Sequence, residues 1–419
     1  MGLINTITVL VCLSAVFSYL NVRFIKLPIK IGLMAIALAM SLALVVLGKL
    51  GVGLPGEARA FVEGIDFNAT LLHGMLSFLL FAGALHVNLD DLLSYKWFIG
   101  TVATAGVVLS TGIVGILAYF LFGLVGLDLP FIDCLLFGAL ISPTDPIAVV
   151  GILKQIRVPK SLEIRLTGES LFNDGVGVVV FLALLGVAIN GEATPAGVAL
   201  LLVQEALGGA ALGFAMGYAA YLMLKSVDNY QVEILVTLAL VMGGYALANA
   251  LHTSGPIAVV IAGLLIGNHG RRFAMSDTSR EHLDSFWELI DELLNAILFV
   301  LIGLEVLVLS FQRQYLQAGL VAIPIVLFAR CLSVGLPVRL FSLVQEFSKK
   351  ATIILTWGGL RGGISVALAL SLPPGHARNA IVTVTYAVVA FSIIVQGLTI
   401  GRVIRSASVA PESSTAYPG

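Results

Sequence analysis

Acidic side chains in this chain sit where the surrounding sequence is apolar. Asp145 lies within Ser142-Pro143-Thr144-Asp145-Pro146. Glu169 and Asp174 lie within Gly168-Glu169-Ser170-Leu171-Phe172-Asn173-Asp174-Gly175. On a helix Glu169 and Asn173 are one turn apart, as are Ser170 and Asp174, so two adjacent stripes each pair a carboxylate with a polar neighbour. The second half of the chain answers with Arg361, set among glycines in Trp357-Gly358-Gly359-Leu360-Arg361-Gly362-Gly363. A charge at the centre of a bilayer costs at least about 2.5–3.5 kcal/mol, so three acids and an arginine there require pairing or a task. The expected structural pair is Glu169 with Arg361. Asp145 and Asp174 are then neutralised by a proton or by a small cation, but not by both together, and that competition is the chemistry of exchange. Their carboxylates, the Ser170 hydroxyl and the backbone carbonyl freed at Thr144 form a hard oxygen set suited to Na⁺, Li⁺ or K⁺.

The elements that must position these residues are membrane-spanning helices. Hydrophobic residues make up 59% of the 419 residues and charged residues only 11%, against about a quarter charged in soluble domains. Mean hydropathy is +1.04. Apolar runs long enough to cross about 30 Å of hydrocarbon recur throughout, and the short alternating segments of a barrel do not occur. The pattern predicts about thirteen spans, at roughly 3–20, 28–48, 69–88, 97–123, 130–153, 166–189, 196–224, 232–251, 254–268, 286–310, 315–343, 348–372 and 379–402. The polar stretch 270–285 is expected at the interface, and the tail 406–419 is expected to be short, disordered and cytoplasmic.

Loop charge sets the orientation. Arg23, Lys26, Lys30, Lys96, Lys154, Arg157, Lys160, Arg165, Lys225, Arg271, Arg272, Arg280, Lys349, Lys350, Arg402 and Arg405 fall on one side, and only Lys49, Arg59, Arg313 and Arg378 on the other. The N-terminus is therefore expected outside and the C-terminus in the cytoplasm. Met1–Leu20 lacks the basic start of a signal peptide and reads as a retained helix.

Two spans are expected to be broken. Pro143 and Pro146 each remove a backbone donor in the fifth, and four glycines surround Arg361 in the twelfth. Each lies in the middle of a three-span group, one per half of the chain, which points to inverted repeats with a binding site at the midplane. Weaker signals read otherwise. Cys12, Cys134 and Cys331 have no paired spacing and behave as small apolar residues. Gly209, Gly213 and Gly217 form a ridge for helix packing. Glu288, Asp291 and Glu292 crowd the start of the tenth span, where a helix dipole favours acids. Glu305 reads either as a secondary cation contact or as a local hydrogen-bond acceptor.

With these residues in view, the chain resembles the monovalent cation/proton antiporter family, in its sodium/proton exchanger branch of the prokaryotic Asn-Asp type. The resemblance is carried by Ser142 to Val149, Gly168 to Gly175 and Gly359 to Gly363. Phe286-Trp287, Asn295, Gly303-Leu304-Glu305 and Gln396-Gly397-Leu398-Thr399 also fit, and the likeness covers about 25–402. It implies an all-α membrane protein forming a homodimer in the cell (inner) membrane. Each protomer is a single domain over 1–405, with a six-helix core at about 97–189 and 315–402 and a dimerisation scaffold at about 3–88 and 196–310. The two broken spans cross at the site. It further implies that Asp174 is the main cation- and proton-binding carboxylate, that Asp145, Ser170 and Thr144 complete the Na⁺ site, and that Glu169 pairs with Arg361. Asn173, neutral beside Asp174, implies electroneutral exchange. No cofactor is implied beyond the transported Na⁺ (or Li⁺ or K⁺) and H⁺, and no nucleic acid. The chain departs from some prokaryotic relatives at Phe81-Ala82-Gly83-Ala84, where they carry an acid in the third span, and its short tail favours a prokaryotic housekeeping protein.

The alternatives are a K⁺/H⁺ antiporter, whose selectivity depends on cavity dimensions, and, more remotely, an intramembrane aspartyl protease with Asp145 and Asp174 as a dyad. The protease lacks support because Phe172 and Asn173 replace the Gly-x-Gly-Asp pattern of such enzymes. A channel is disfavoured by the absence of a repeated filter sequence.

Overall fold

The computed structural model describes residues 3–50, 54–67, 69–145, 160–190, 195–345, 347 and 350–406, and every regular element among them is helical. The chain runs through α1 (Leu3–Leu20), α2 (Ile29–Lys49), the short α3 (Leu54–Glu63), α4 (Leu76–Leu85), α5 (Leu89–Ser94) and α6 (Lys96–Thr101). A π-helical turn at Val102–Gly106 leads from α6 into α7 (Val107–Leu124), followed by α8 (Phe131–Ile141). Then come α9 (Lys160–Asn190), α10 (Pro195–Ser226), α11 (Tyr230–Ala250), α12 (Gly255–Leu265) and α13 (Asp277–Leu304). The last elements are α14 (Arg313–Phe341), α15 (Ala351–Gly358), α16 (Gly363–Leu370), α17 (His376–Phe391) and α18 (Gly397–Ser406), the final two joined by a π-helical turn at Ser392–Gln396.

Among the described residues, eight helices are long and apolar enough to cross a membrane, and α15 with α16 form a further candidate bent by 49°. Large apolar side chains cover the outside: Trp97 is 73% exposed and Leu320 70%. Such a surface suits hydrocarbon, where the backbone's polar groups must be satisfied within the helices themselves. Helix starts are capped locally. The Asn229 side chain accepts from the Gln231 and Val232 amides, and Ser254 accepts from the Ile257 amide with Pro256 in the first turn.

Small residues set the closest approaches. On α10, a Cβ at Gly209 would lie 2.6 Å from the Ser254 carbonyl oxygen, and one at Gly213 would run into the Ala258 carbonyl. The expected glycine ridge thus seats α10 against α12. Within the 270–285 stretch, expected at the interface, the backbone is already helical from Asp277. α13 begins at Asp277, capped by the Ser276 hydroxyl, and continues unbroken to Leu304. Its early turns are amphipathic, with Leu283 and Trp287 fully buried and the acids on the opposite face, so the acids do not end the helix. The second half of the fifth span, including Pro146, lies outside the described residues, as do Lys154, Arg157, Lys349 and the tail from 407.

If α10 and α12 need this contact, Gly213→Leu should overpack it and lower stability by about 1–3 kcal/mol or more. Gly243→Leu, at a position where a Cβ meets nothing within 4 Å, should leave thermal stability of the purified protein unchanged. Equal melting temperatures for both variants would show that the ridge does not hold the helices together.

Candidate functional site

The two interrupted segments meet. α8 ends at Ile141, and Ser142 to Asp145 continue without helical hydrogen bonding. α15 ends at Gly358, and the chain stays non-helical through Gly362 before α16 begins. The Asp145 amide donates to the Leu360 carbonyl at 2.8 Å, a main-chain bond between the two breaks. Gly362 packs so closely that a Cβ there would lie 2.8 Å from Asp145 Oδ2. Only glycine permits that approach.

Interrupting a helix strands the carbonyls of its last turn. Arg361 serves them. Its Nη1 donates to the Ser142 carbonyl at 2.5 Å and to the Pro143 carbonyl at 2.9 Å, placing a cation at the negative end of α8. The Arg361 amide donates to Ser392 Oγ at 2.9 Å, and Gln396 Nε2 donates to the Trp357 carbonyl at 3.1 Å. The π-helical turn between α17 and α18 therefore braces the glycine-rich break, as such turns often do at functional sites.

This arrangement corrects the expected ion pair. Glu169 is held by Arg330 of α14: Nη1 bonds Oε1, and Nη2 bonds Oε2 at 2.9 Å. Both residues are buried. The two parallel bonds use the planar fork of guanidinium against carboxylate, and Arg330 also donates to the Leu355 carbonyl at 3.3 Å. Arg361 sits in the non-helical break beside carbonyls to satisfy, whereas Arg330 stands on a continuous helix facing α9. No motif in the sequence marks Arg330, which falls within the apolar stretch 315–343, as that partner.

Thr144 is clamped from α9. Asn173 Nδ2 donates to Thr144 Oγ1 at 2.8 Å, and Asn173 Oδ1 accepts from the Thr144 amide at 3.4 Å. The Ser170 hydroxyl donates to the Thr144 carbonyl. Asn173 thus holds the extended segment in shape, a task that uses both the donor and the acceptor of its amide.

Asp145, Ser170 and Asp174 line one cavity of about 100 Å³, the constellation expected from the sequence. Among the described residues no lysine or arginine forms an ion pair with Asp174. Three further polar residues share the cavity: Thr167 and Ser365, which the sequence reading passed over, and Asn295, which it named as part of the resemblance without a site role. Thr167 was legible, since it continues the stripe of Ser170 and Asp174 along one helix face. Asn295 on α13 is buried; its Nδ2 donates to the Asp291 carbonyl at 2.8 Å, and its Oδ1 has no partner among the described residues. The cavity is thus lined by two carboxylates, hydroxyls and an amide oxygen. These are hard donors, fitted to protons and alkali cations.

The chain matches the model of the transmembrane sodium/hydrogen exchanger family over residues 11–406. The chain belongs to the sodium/hydrogen exchanger family. That family is one of transporters, not of enzymes. The chain is 52% identical over 409 residues to the Na(+)/H(+) antiporter NhaP of Pseudomonas aeruginosa, covering 96% of each chain. It is 35% identical over 391 residues to the Na(+)/H(+) antiporter NhaH of Halobacillus dabanensis, covering 91% of this chain and 93% of that one. Its fold is similar to that of the sodium proton antiporter MjNhaP1 from Methanocaldococcus jannaschii at pH 8, with a TM-score of 0.79 and 21% identity over 98% of this chain and 100% of that one. This exchanger-family chain is accordingly a multi-pass membrane protein.

The Glu169 assignment has a direct check. Arg330→Ala leaves a buried carboxylate without its partner and should cost roughly 3–5 kcal/mol, part of which Glu169→Gln should restore. A double-mutant cycle on thermal stability should give strong coupling of Glu169 to Arg330 and weaker coupling to Arg361. The opposite ranking would return the pair to Arg361.

Proposed function

We propose that the protein exchanges Na⁺ for H⁺ across the membrane by alternating access, one cation per proton. The carrying observation is that Asp145, Ser170 and Asp174 share one small cavity beside two crossed, interrupted segments. The relatives named as Na(+)/H(+) antiporters support the same reading.

Asp174 is the exchanging carboxylate in this proposal. Asp145 and the Ser170 hydroxyl complete the cation's oxygen shell, with the Thr144 carbonyl contributing once Ser170 turns its hydrogen aside. Burial disfavours a bare charge, so the site holds either a proton or a cation and does not reorient empty and ionised. Asn173 stays neutral and carries no second proton, which makes the cycle electroneutral. Arg330 keeps Glu169 out of the titration, and Arg361 supports the crossing.

The wider arrangement belongs to the same proposal: about thirteen spans, a core of roughly 97–189 and 315–402 moving against a scaffold of roughly 3–88 and 196–310, a homodimer, and the C-terminus in the cytoplasm. The mobile half would carry the crossing, and the scaffold would contribute α13 with Asn295.

Asp174→Asn cannot ionise, and it should abolish exchange driven by a pH step in proteoliposomes while the protein still folds, because an amide is less costly to bury than a charge. Asp174→Glu should keep weak activity with altered cation preference. Exchange by Asp174→Asn near the wild-type rate, on a sample of normal melting temperature, would move the carrier role to Asp145. A potential clamped with valinomycin should leave the wild-type rate unchanged. A current generated by exchange would overturn the one-to-one stoichiometry and spare the site.

A further inference from the structure

A second cavity, of about 720 Å³, lies at the end of the bundle where α3 meets α4, α13 meets α14 and α16 meets α17. Its polar lining includes Glu63, Asp66, Glu305, Ser310, Arg378 and Asn379. Most of these are ordinary surface groups. Glu63 is exposed and paired with Arg59 at 2.8 Å, and Asp66 is exposed. Arg378 spends its Nε and Nη2 on the Leu370 carbonyl at 3.2 and 3.1 Å, completing the C-terminal turn of α16.

Glu305 differs from all of them. It is only 6% exposed, yet it lines this cavity and makes no ion pair or hydrogen bond among the described residues. Tyr386, also buried, lies close enough to feel its charge, and the tyrosine hydroxyl has no hydrogen-bond partner either. Arg378 lies close enough to act on Glu305 by its charge, but its guanidinium is bonded to the Leu370 carbonyl and forms no ion pair with the carboxylate. A buried carboxylate that faces a water-accessible space without a bonded cation is an acceptor for a mobile one.

The same two helices lead from here to the inner cavity. Leu298 of α13 lines that cavity, and Glu305 stands about 10 Å further along at 1.5 Å per residue. On α16, Ser365 lines the inner cavity while Leu370 borders the outer one. Between them Leu301, Ile302, Val366 and Ala369 are buried and apolar. The outer cavity is thus separated from Asp174 by an apolar plug.

We infer that the vestibule around Glu305 is a second cation-binding site, taking a monovalent alkali cation on its way between Asp174 and the face opposite the C-terminus. This rests on the exchange proposed for Asp174, and it adds a waystation on one side only. One-sidedness is what the test reads.

In vesicles sorted by protease access to a C-terminal tag, KM for Na⁺ is measured separately from each face. Glu305→Gln keeps the shape and removes the charge. It should raise KM from the face opposite the C-terminus by about tenfold or more, through loss of the attraction between carboxylate and cation, and leave KM from the other face unchanged. A role in packing alone would lower thermal stability and alter both faces alike, and unchanged KM on both faces would equally overturn the inference. Should Glu305→Gln not fold, Glu305→Asp must shift KM from the same face alone. Asp174→Asn in the same vesicles tells the two proposals apart: exchange that survives it refutes the Asp174 site, whereas symmetric Glu305 kinetics refute only the vestibule.

Discussion

The constraint on which the rest depends is that main-chain polar groups cannot be left bare inside a bilayer. This chain interrupts two spans and then satisfies the exposed backbone with the other half of the same crossing. Asp145 donates its amide to Leu360, and Arg361 donates its side chain to Ser142 and Pro143. Ser392 takes the Arg361 amide, and Asn173 takes the Thr144 amide. The interruption is therefore a fixed structure rather than a slack region. Its geometry places the Ser170 hydroxyl and the carboxylates of Asp145 and Asp174 around one cavity of about 100 Å³.

Charge is sorted by whether a permanent partner exists. Glu169 and Arg330 are buried and joined by two bonds, which makes them one neutral unit. Arg361 is buried against carbonyl dipoles at a helix end. Asp174 is buried without either arrangement among the described residues. The same environment that forces the first two into static pairing would, in the proposed exchange, make the third depend on something that arrives from solution. Structural and functional charges thus lie within a few residues of each other and differ only in their neighbours.

Much of this was legible because the bilayer makes polar residues expensive. Asp145, Ser170 and Asp174 stood out as unexplained charge and polarity in apolar surroundings, and prolines and glycines marked where helices stop. The choice between Arg330 and Arg361 was not legible. It depends on which face of α14 meets α9 and on stranded carbonyls that exist only once α8 has ended, and neither is written in residue spacing. Ser365 was missed, and Asn295 was noted without a site role, for a related reason, since each comes to the cavity from a different helix. The helical turns of α13 ahead of residue 286 were not legible because their acids were weighed for hydropathy, whereas Leu283 and Trp287 at helical spacing carry a buried stripe. Thr167 was within reach and was passed over.

The seam between the crossing and α13 differs in kind from the crossing itself. Within the crossing, directional bonds tie the non-helical segments to each other and to neighbouring helices. Across the seam, Gly363 presses against Leu298, hydrocarbon on hydrocarbon, and Asn295 turns its amide back to its own helix. Dispersion contacts are individually weak and indifferent to register, so such a surface behaves as a lubricated bearing. Among the described residues no hydrogen bond joins α13 to α16, so in the proposed alternating access one side would slip past the other with friction set by the shapes of a glycine and a leucine.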